Sequence, residues 1–178
     1  MSDYIPRLND SGMQGNRLWY SDNPFYNSGY GLPNCTCYAW GRFWEIGEGL
    51  AEHRPRLSLS DAENWYNFAD GYERGTTPAL GAVLCLADGP FSGAGHVAVV
   101  EQINDDGSIL TSESAYDAYY FEVHQRYPEN NYVEYPGYVF QGFIYNPYAG
   151  DHPVPPGPGN GFKWWMAKRI IELKKRGY

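Results

Sequence analysis

No lysine occurs before Lys163 in this chain of 178 residues. Through Gly150, seven arginines face nineteen carboxylates, a net charge of −12, whereas residues 151–178 carry +4. A body of that sign cannot neutralise a phosphate backbone, so nucleic-acid binding is set aside. Long apolar runs are also missing. No stretch approaches a transmembrane span, and the opening Met1-Ser2-Asp3-Tyr4-Ile5-Pro6-Arg7 has neither the basic start nor the apolar core of a secretory signal. The expectation is a chain made in the cytoplasm that acts on anything outside it only after release or injection. Cysteine is scarce and odd in number, at three, which argues against a disulfide framework and for at least one free thiol. No internal repeat is visible, and Ser92-Gly93-Ala94-Gly95 precedes a strand-like run, the wrong order for a phosphate cradle. Aromatics, by contrast, are abundant, with 17 tyrosines and 6 tryptophans. They suit an aromatic core or a surface that grips sugars and peptides by ring faces.

The stretch Asn34-Cys35-Thr36-Cys37-Tyr38-Ala39-Trp40-Gly41-Arg42 is the most informative part of what is present. Ser28 to Pro33 cannot extend a helix, whereas the run to about Leu50 can, so Cys35 falls in a first helical turn. Unpaired backbone N–H groups and the positive end of the helix dipole favour a thiolate there. A base is supplied in Gly95-His96-Val97-Ala98-Val99-Val100-Glu101, where His96 opens a β-branched, strand-like run behind small residues. The turn Asn104-Asp105-Asp106-Gly107 leads into a second strand ending at Glu113, and a hairpin would set that carboxylate beside His96. Nucleophile, base and orienter are the parts of an acyl-transfer site. Cys37 and Cys85 read as small buried hydrophobes. A zinc site from Cys35, Cys37, Cys85 and His96 lacks the usual ligand spacing, so no metal is expected. His53 and His152 read as solvated or loop histidines, and His124 is the only other histidine placed to serve as a base.

At these residues the chain resembles the CHAP family, the cysteine, histidine-dependent amidohydrolases and peptidases that cut peptidoglycan. Asn34, Cys35, Thr36, Tyr38, Ala39 and Arg42 match its nucleophile block, Pro78 to Val83 its strand entry, Gly95-His96-Val97-Ala98 its histidine block, and Ser112-Glu113-Ser114 its third block. Cys37 stands where the family often has tryptophan, and Ala115 where it often has asparagine. The first departure leaves two thiols to choose between, and the second makes Glu113 carry the orienting role alone. The resemblance implies a papain-like α+β fold of the NlpC/P60-CHAP type, with N-terminal helices packed on an antiparallel sheet. It also implies a peptidoglycan amidase or endopeptidase using Cys35, His96 and Glu113, in the manner of a phage lysin or virion-associated lysin. The alternative is a wall-binding or structural virion protein without catalysis. Asn34 and Asn27 are candidates for oxyanion stabilisation, and Tyr38 and Arg42 for substrate contact or packing. Some relatives bind calcium near the nucleophile; Asp22, Asn23 and Asn27 could offer oxygens, but their spacing matches no ion loop.

The order of elements is α+β: a helix from Cys35, a second signalled by the capping box Ser60-Asp61-Ala62-Glu63, then strands over 81–87, 96–103, 108–112, 120–127 and 138–145. Residues 1–150 form the expected catalytic domain, and the Pro/Gly-rich residues 151–161 a spacer. Residues 162–178 are expected to form a basic, partly amphipathic helix that meets anionic wall polymer or a membrane surface, or else docks on the acidic body.

Overall fold

The computed structural model describes residues 4–89 and 93–150; the expected spacer and basic C-terminal helix lie outside them. Tight turns carry the chain into a one-turn helix α1 (Pro24–Asn27) and then α2 (Cys35–Ile46). Six strands follow: β1 (Arg74–Gly75), β2 (Val83–Asp88), β3 (His96–Ile103), β4 (Ile109–Glu113), β5 (Glu122–Arg126) and β6 (Tyr138–Ile144). They form one antiparallel sheet in the order β1-β6-β2-β3-β4-β5. Helices first and a meander after is the α+β fold expected, with the nucleophile helix packed on the sheet that carries the histidine. Among the described residues no helix is long and apolar enough to cross a membrane.

Side chains that alternate along the central strands divide the core in two. Cys37, Trp40, Phe43, Val83, Cys85, Val97 and Val99 join α2 to one face of the sheet. Leu84, Leu86, Ala98, Val100, Ile109 and Phe143 fill the other. Both faces are covered, which is why β2 and β3 read as continuous apolar runs rather than as alternating ones. Gly41 permits a close approach on α2: a Cβ there would lie 2.5 Å from the Trp19 ring, whose indole N–H donates to the Tyr38 carbonyl at 3.1 Å.

Two expected helical features differ in the structure. Helix α2 stops at Ile46 rather than near Leu50, because Glu48 and Gly49 take left-handed backbone angles, φ 59° and 63°. The Ser60–Glu63 box does not start a helix; only a single 3-10 turn, Ala62–Asn64, forms, with no side-chain cap. Its backbone is recruited elsewhere. The Glu63 N–H donates to Ala94 O at 3.0 Å, Glu63 O accepts from Gln141 Nε2 at 2.9 Å, and Ser60 O accepts the Trp65 indole N–H at 3.1 Å. Burial of Trp65 and contact with the loop before β3 thus override a local capping signal.

Candidate active site

Asn34 starts the site by starting α2. Its Oδ1 accepts the Thr36 N–H at 2.9 Å and the Thr36 hydroxyl at 2.7 Å, the side-chain cap that this residue type provides. Its own N–H donates to Ser114 Oγ at 3.0 Å, which ties the helix start to the residue after Glu113. Cys35 therefore sits half-buried at the first helical position, where its backbone N–H has no intrahelical acceptor.

His96 reaches the same place from the sheet. It is the first residue of β3, and Glu113 is the last of the adjacent antiparallel β4, so the hairpin brings both to one end of the sheet. Gly95 sets the approach: its φ is +70°, and a Cβ there would lie 2.6 Å from both Glu63 N and Leu86 O. Only glycine takes that conformation in that space without displacing backbone. His96 Nε2 lies 3.1 Å from Glu113 Oε1, which leaves Nδ1 for Cys35. Burial alone would push the imidazolium pKa down, yet hydrogen bonds to Cys35 and Glu113 and the carboxylate charge outweigh it, raising it to about 10. At neutral pH the ring is held as a cation.

Glu113 is fully buried and ionised. Burial acts to raise its pKa, but the hydrogen bond and charge of His96, the charge of Arg126 and the Tyr119 hydroxyl hold it well below the usual carboxylate range. Tyr119 donates its hydroxyl to Oε1 at 2.7 Å, Arg126 donates Nη2–H to Oε2 at 2.6 Å, and Thr111 donates its hydroxyl to Oε2 at 3.3 Å. Glu113 is the group that meets His96 Nε2, and it is itself held by three other side chains. Sequence reasoning missed both Tyr119 and Arg126. The available signal for Arg126 was an arginine in the alternating run Glu122-Val123-His124-Gln125-Arg126, which reads as solvated until its burial is known.

The structure brings Cys35, His96 and Glu113 together, with His124 close by, its Nε2 3.8 Å from Glu113 Oε1; the other candidates have other surroundings. Cys37 and Cys85 are fully buried; desolvation pushes the Cys37 thiol up to about 12 and the Cys85 thiol higher still. His124 has Glu122 Oε2 3.0 Å from one ring nitrogen and Glu134 Oε2 2.8 Å from the other, so both sides of the ring are taken. Tyr38 cannot contact substrate: it is fully buried and donates its hydroxyl to Ser112 Oγ at 2.7 Å. Arg42 is also structural, and buried rather than at the surface. Its Nε and Nη2 grip Glu101 at 2.9 and 2.8 Å, while Nη1 donates to Glu45 at 2.7 Å. Asn27 lies exposed on α1 with its amide N–H donated to Ser21 O at 3.0 Å, away from an oxyanion role.

The residues named for calcium do not fit an ion. Asp22 pairs with Arg17 at 2.6 Å, and Asn23 caps α1 through Oδ1 while its amide donates to Leu18 O and Cys37 O. The Asp22 and Asn23 oxygens are thus spent on separate partners, and among the described residues no group of three or more His, Cys, Asp or Glu is placed to hold a metal.

This geometry agrees with the comparisons to known proteins. The CHAP domain profile matches residues 25–115, which include all three converging residues. A probable autolysin, SsaALP, of Staphylococcus aureus is 35% identical over 108 residues, covering 60% of this chain and 36% of its own. The N-acetylmuramoyl-L-alanine amidase sle1 of Staphylococcus epidermidis is 35% identical over 102 residues, covering 56% of this chain and 29% of its own. The chain thus spans about a third of the length of these curated relatives. Among solved structures, an N-acetylmuramoyl-L-alanine amidase from Staphylococcus aureus aligns over 79% of this chain and 36% of its own, with TM-score 0.46 and 24% identity. With the profile covering half of its length and the nucleophile, histidine and acidic blocks meeting at one end of the sheet, the chain belongs to the CHAP domain family.

Proposed function

We propose that this chain is a cysteine amidohydrolase of the bacterial cell wall, cleaving an amide of peptidoglycan through Cys35, His96 and Glu113. The observation that carries this reading is the line from the half-buried Cys35 thiol through His96 to the buried Glu113 carboxylate. The thiolate attacks the amide carbonyl, its proton having passed to His96, and the oxyanion meets the unpaired Cys35 N–H. Asn34 Nδ2 is the nearest additional donor in sequence, since its Oδ1 is committed to the cap. The C–N bond then breaks as the His96 imidazolium gives its proton to the leaving amine, producing a thioester. Neutral His96 takes a proton from water, the resulting hydroxide displaces the thiolate, and the imidazolium and thiolate are restored.

Relatives named N-acetylmuramoyl-L-alanine amidase support the lactyl-alanine amide as the bond cut, in preference to a stem-peptide or cross-bridge bond. Relatives named as autolysins support action on a bacterial wall; action as a released or virion-carried phage lysin is the same chemistry in another setting. Turbidity clearing of wall-intact cells by the purified chain tests the reading: the parent clears and Cys35→Ala does not. Equal clearing by Cys35→Ala would end it.

A further inference from the structure

The acidic member of the site is held by more than the histidine. Arg126 is 2% exposed and stands on β5, across β4 from β3. Its guanidinium makes three bonds: Nη2 to Glu113 Oε2 at 2.6 Å, Nε to Thr111 Oγ1 at 3.0 Å and Nη1 to Tyr132 O at 3.2 Å. A planar fork anchored at two other points has little freedom to rotate, so the carboxylate oxygen it grips is set in direction as well as in charge. That grip takes Oε2 and leaves Oε1 to His96 and Tyr119; His124 Nε2 stands 3.8 Å from Oε1, and Glu134 Oε2 3.8 Å from Arg126 Nη2. The residue two after Glu113, Ala115, has no side chain that could do this, and Arg126 lies beyond the matched residues 25–115.

We infer that Arg126 is a positioning residue of this site, aiming Glu113 Oε1 at His96 from β5, while the Tyr119 hydroxyl, from the segment following Glu113, holds Oε1 itself. A third group that orients the imidazole controls rate more than substrate binding. Arg126 acts one step behind it and touches neither substrate nor thiol. The inference rests on the proposed catalytic use of Cys35, His96 and Glu113, so its test needs a readout independent of wall cleavage.

Alkylation of Cys35 by iodoacetamide against pH gives that readout, since Cys37 and Cys85 are fully buried and do not compete. The acid limb of that profile reads the pH at which Glu113, held well below the usual carboxylate range, takes a proton and its hold on His96 is lost. In Arg126→Gln the acid limb moves upward by about one pH unit or more, the equivalent of one lost charge-assisted bond; Arg126→Lys, which keeps charge but not the fork, falls between. On purified walls kcat drops about tenfold or more in Arg126→Gln with KM within about twofold. Limbs coinciding with the parent's in Arg126→Gln overturn the inference. If that variant does not fold, Arg126→Lys decides: a displaced limb supports the role and a coincident one ends it. Failure of the parent to cut walls would instead sink the proposed function and leave the alkylation result standing on its own.

Discussion

At the scale of single residues, the chemistry is set by which polar groups are buried together. Cys35, Cys37 and Cys85 are the same side chain, yet only Cys35 is half-buried at a capped helix start beside an imidazole. Cys35→Ala should therefore abolish wall cleavage, whereas Cys37→Ala and Cys85→Ala should retain it with some loss of stability from a small core cavity, measurable as a lower Tm. His96→Ala should be as damaging as loss of the thiol, because members of one catalytic unit are not additive, while Glu113→Gln should be milder; single-turnover rates give the order. With the His96 pKa raised to about 10, the imidazolium needed for amine departure is lost only above that pH. An alkaline limb of kcat/KM near pH 10 is expected, and one near the ordinary histidine range would show that the ring is not paired as the structure has it. Arg42 carries the reverse lesson. The family motif marks it, but its Glu101 pairing is structural, so Arg42→Met should cost about 3–5 kcal/mol in denaturant unfolding by stranding a buried carboxylate.

At the scale of elements, what was legible in the sequence was what neighbouring residues decide. The nucleophile helix announced itself through Asn34 and the turn residues before it, and the β3–β4 hairpin through its Asn-Asp-Asp-Gly turn, in which the Asn104 N–H donates to Ser108 O at 2.8 Å. Proximity of Glu113 to His96 followed from that hairpin. What distant contacts decide could not be read. The Ser60–Glu63 signal was overridden by Trp65 burial and by Ala94, which is remote in sequence. Arg126 joins the site only through pairing of β5 with β4, and a polar alternating strand looks the same whether its arginine faces water or a buried carboxylate; Tyr119 is brought in by the turn after Glu113, where the Ala115 N–H and the Ser114 hydroxyl donate to Tyr119 O at 3.0 Å. Gly95 was legible as a loop residue but not as a steric requirement. Gly95→Ala should lower activity more than the distance of its Cβ from the thiol suggests, since it forces His96 to move with its backbone; an unchanged single-turnover rate in a folded variant would refute this.

At the scale of the whole molecule, charge couples stability to pH through the same buried site. A group whose pKa is raised by folding adds stability that is complete below its unfolded value and is lost as pH rises through its folded one. For His96 that window runs from about 6.5 to about 10. Glu113 acts in the opposite direction, its contribution being present above the ordinary carboxylate range and lost as pH falls below it. The Tm of the parent should accordingly decline between pH 7 and 10 more steeply than that of His96→Gln, which calorimetry measures. The acidic body and the basic residues after Gly150 make a second expectation, read from sequence alone: wall binding by the intact chain should weaken with salt, and a chain ending at Asn160 should bind weakly at every salt concentration.

The central claim is that the thiol of Cys35, served by His96 and Glu113, cuts an amide of the wall. Mass spectrometry of the fragments released from purified peptidoglycan by the parent and by Cys35→Ala tests it most directly. The account predicts stem peptides with a newly freed amino-terminal alanine from the parent and none from the variant. Release of the same fragments by Cys35→Ala, or of fragments ending only at newly cut glycosidic bonds, would contradict it.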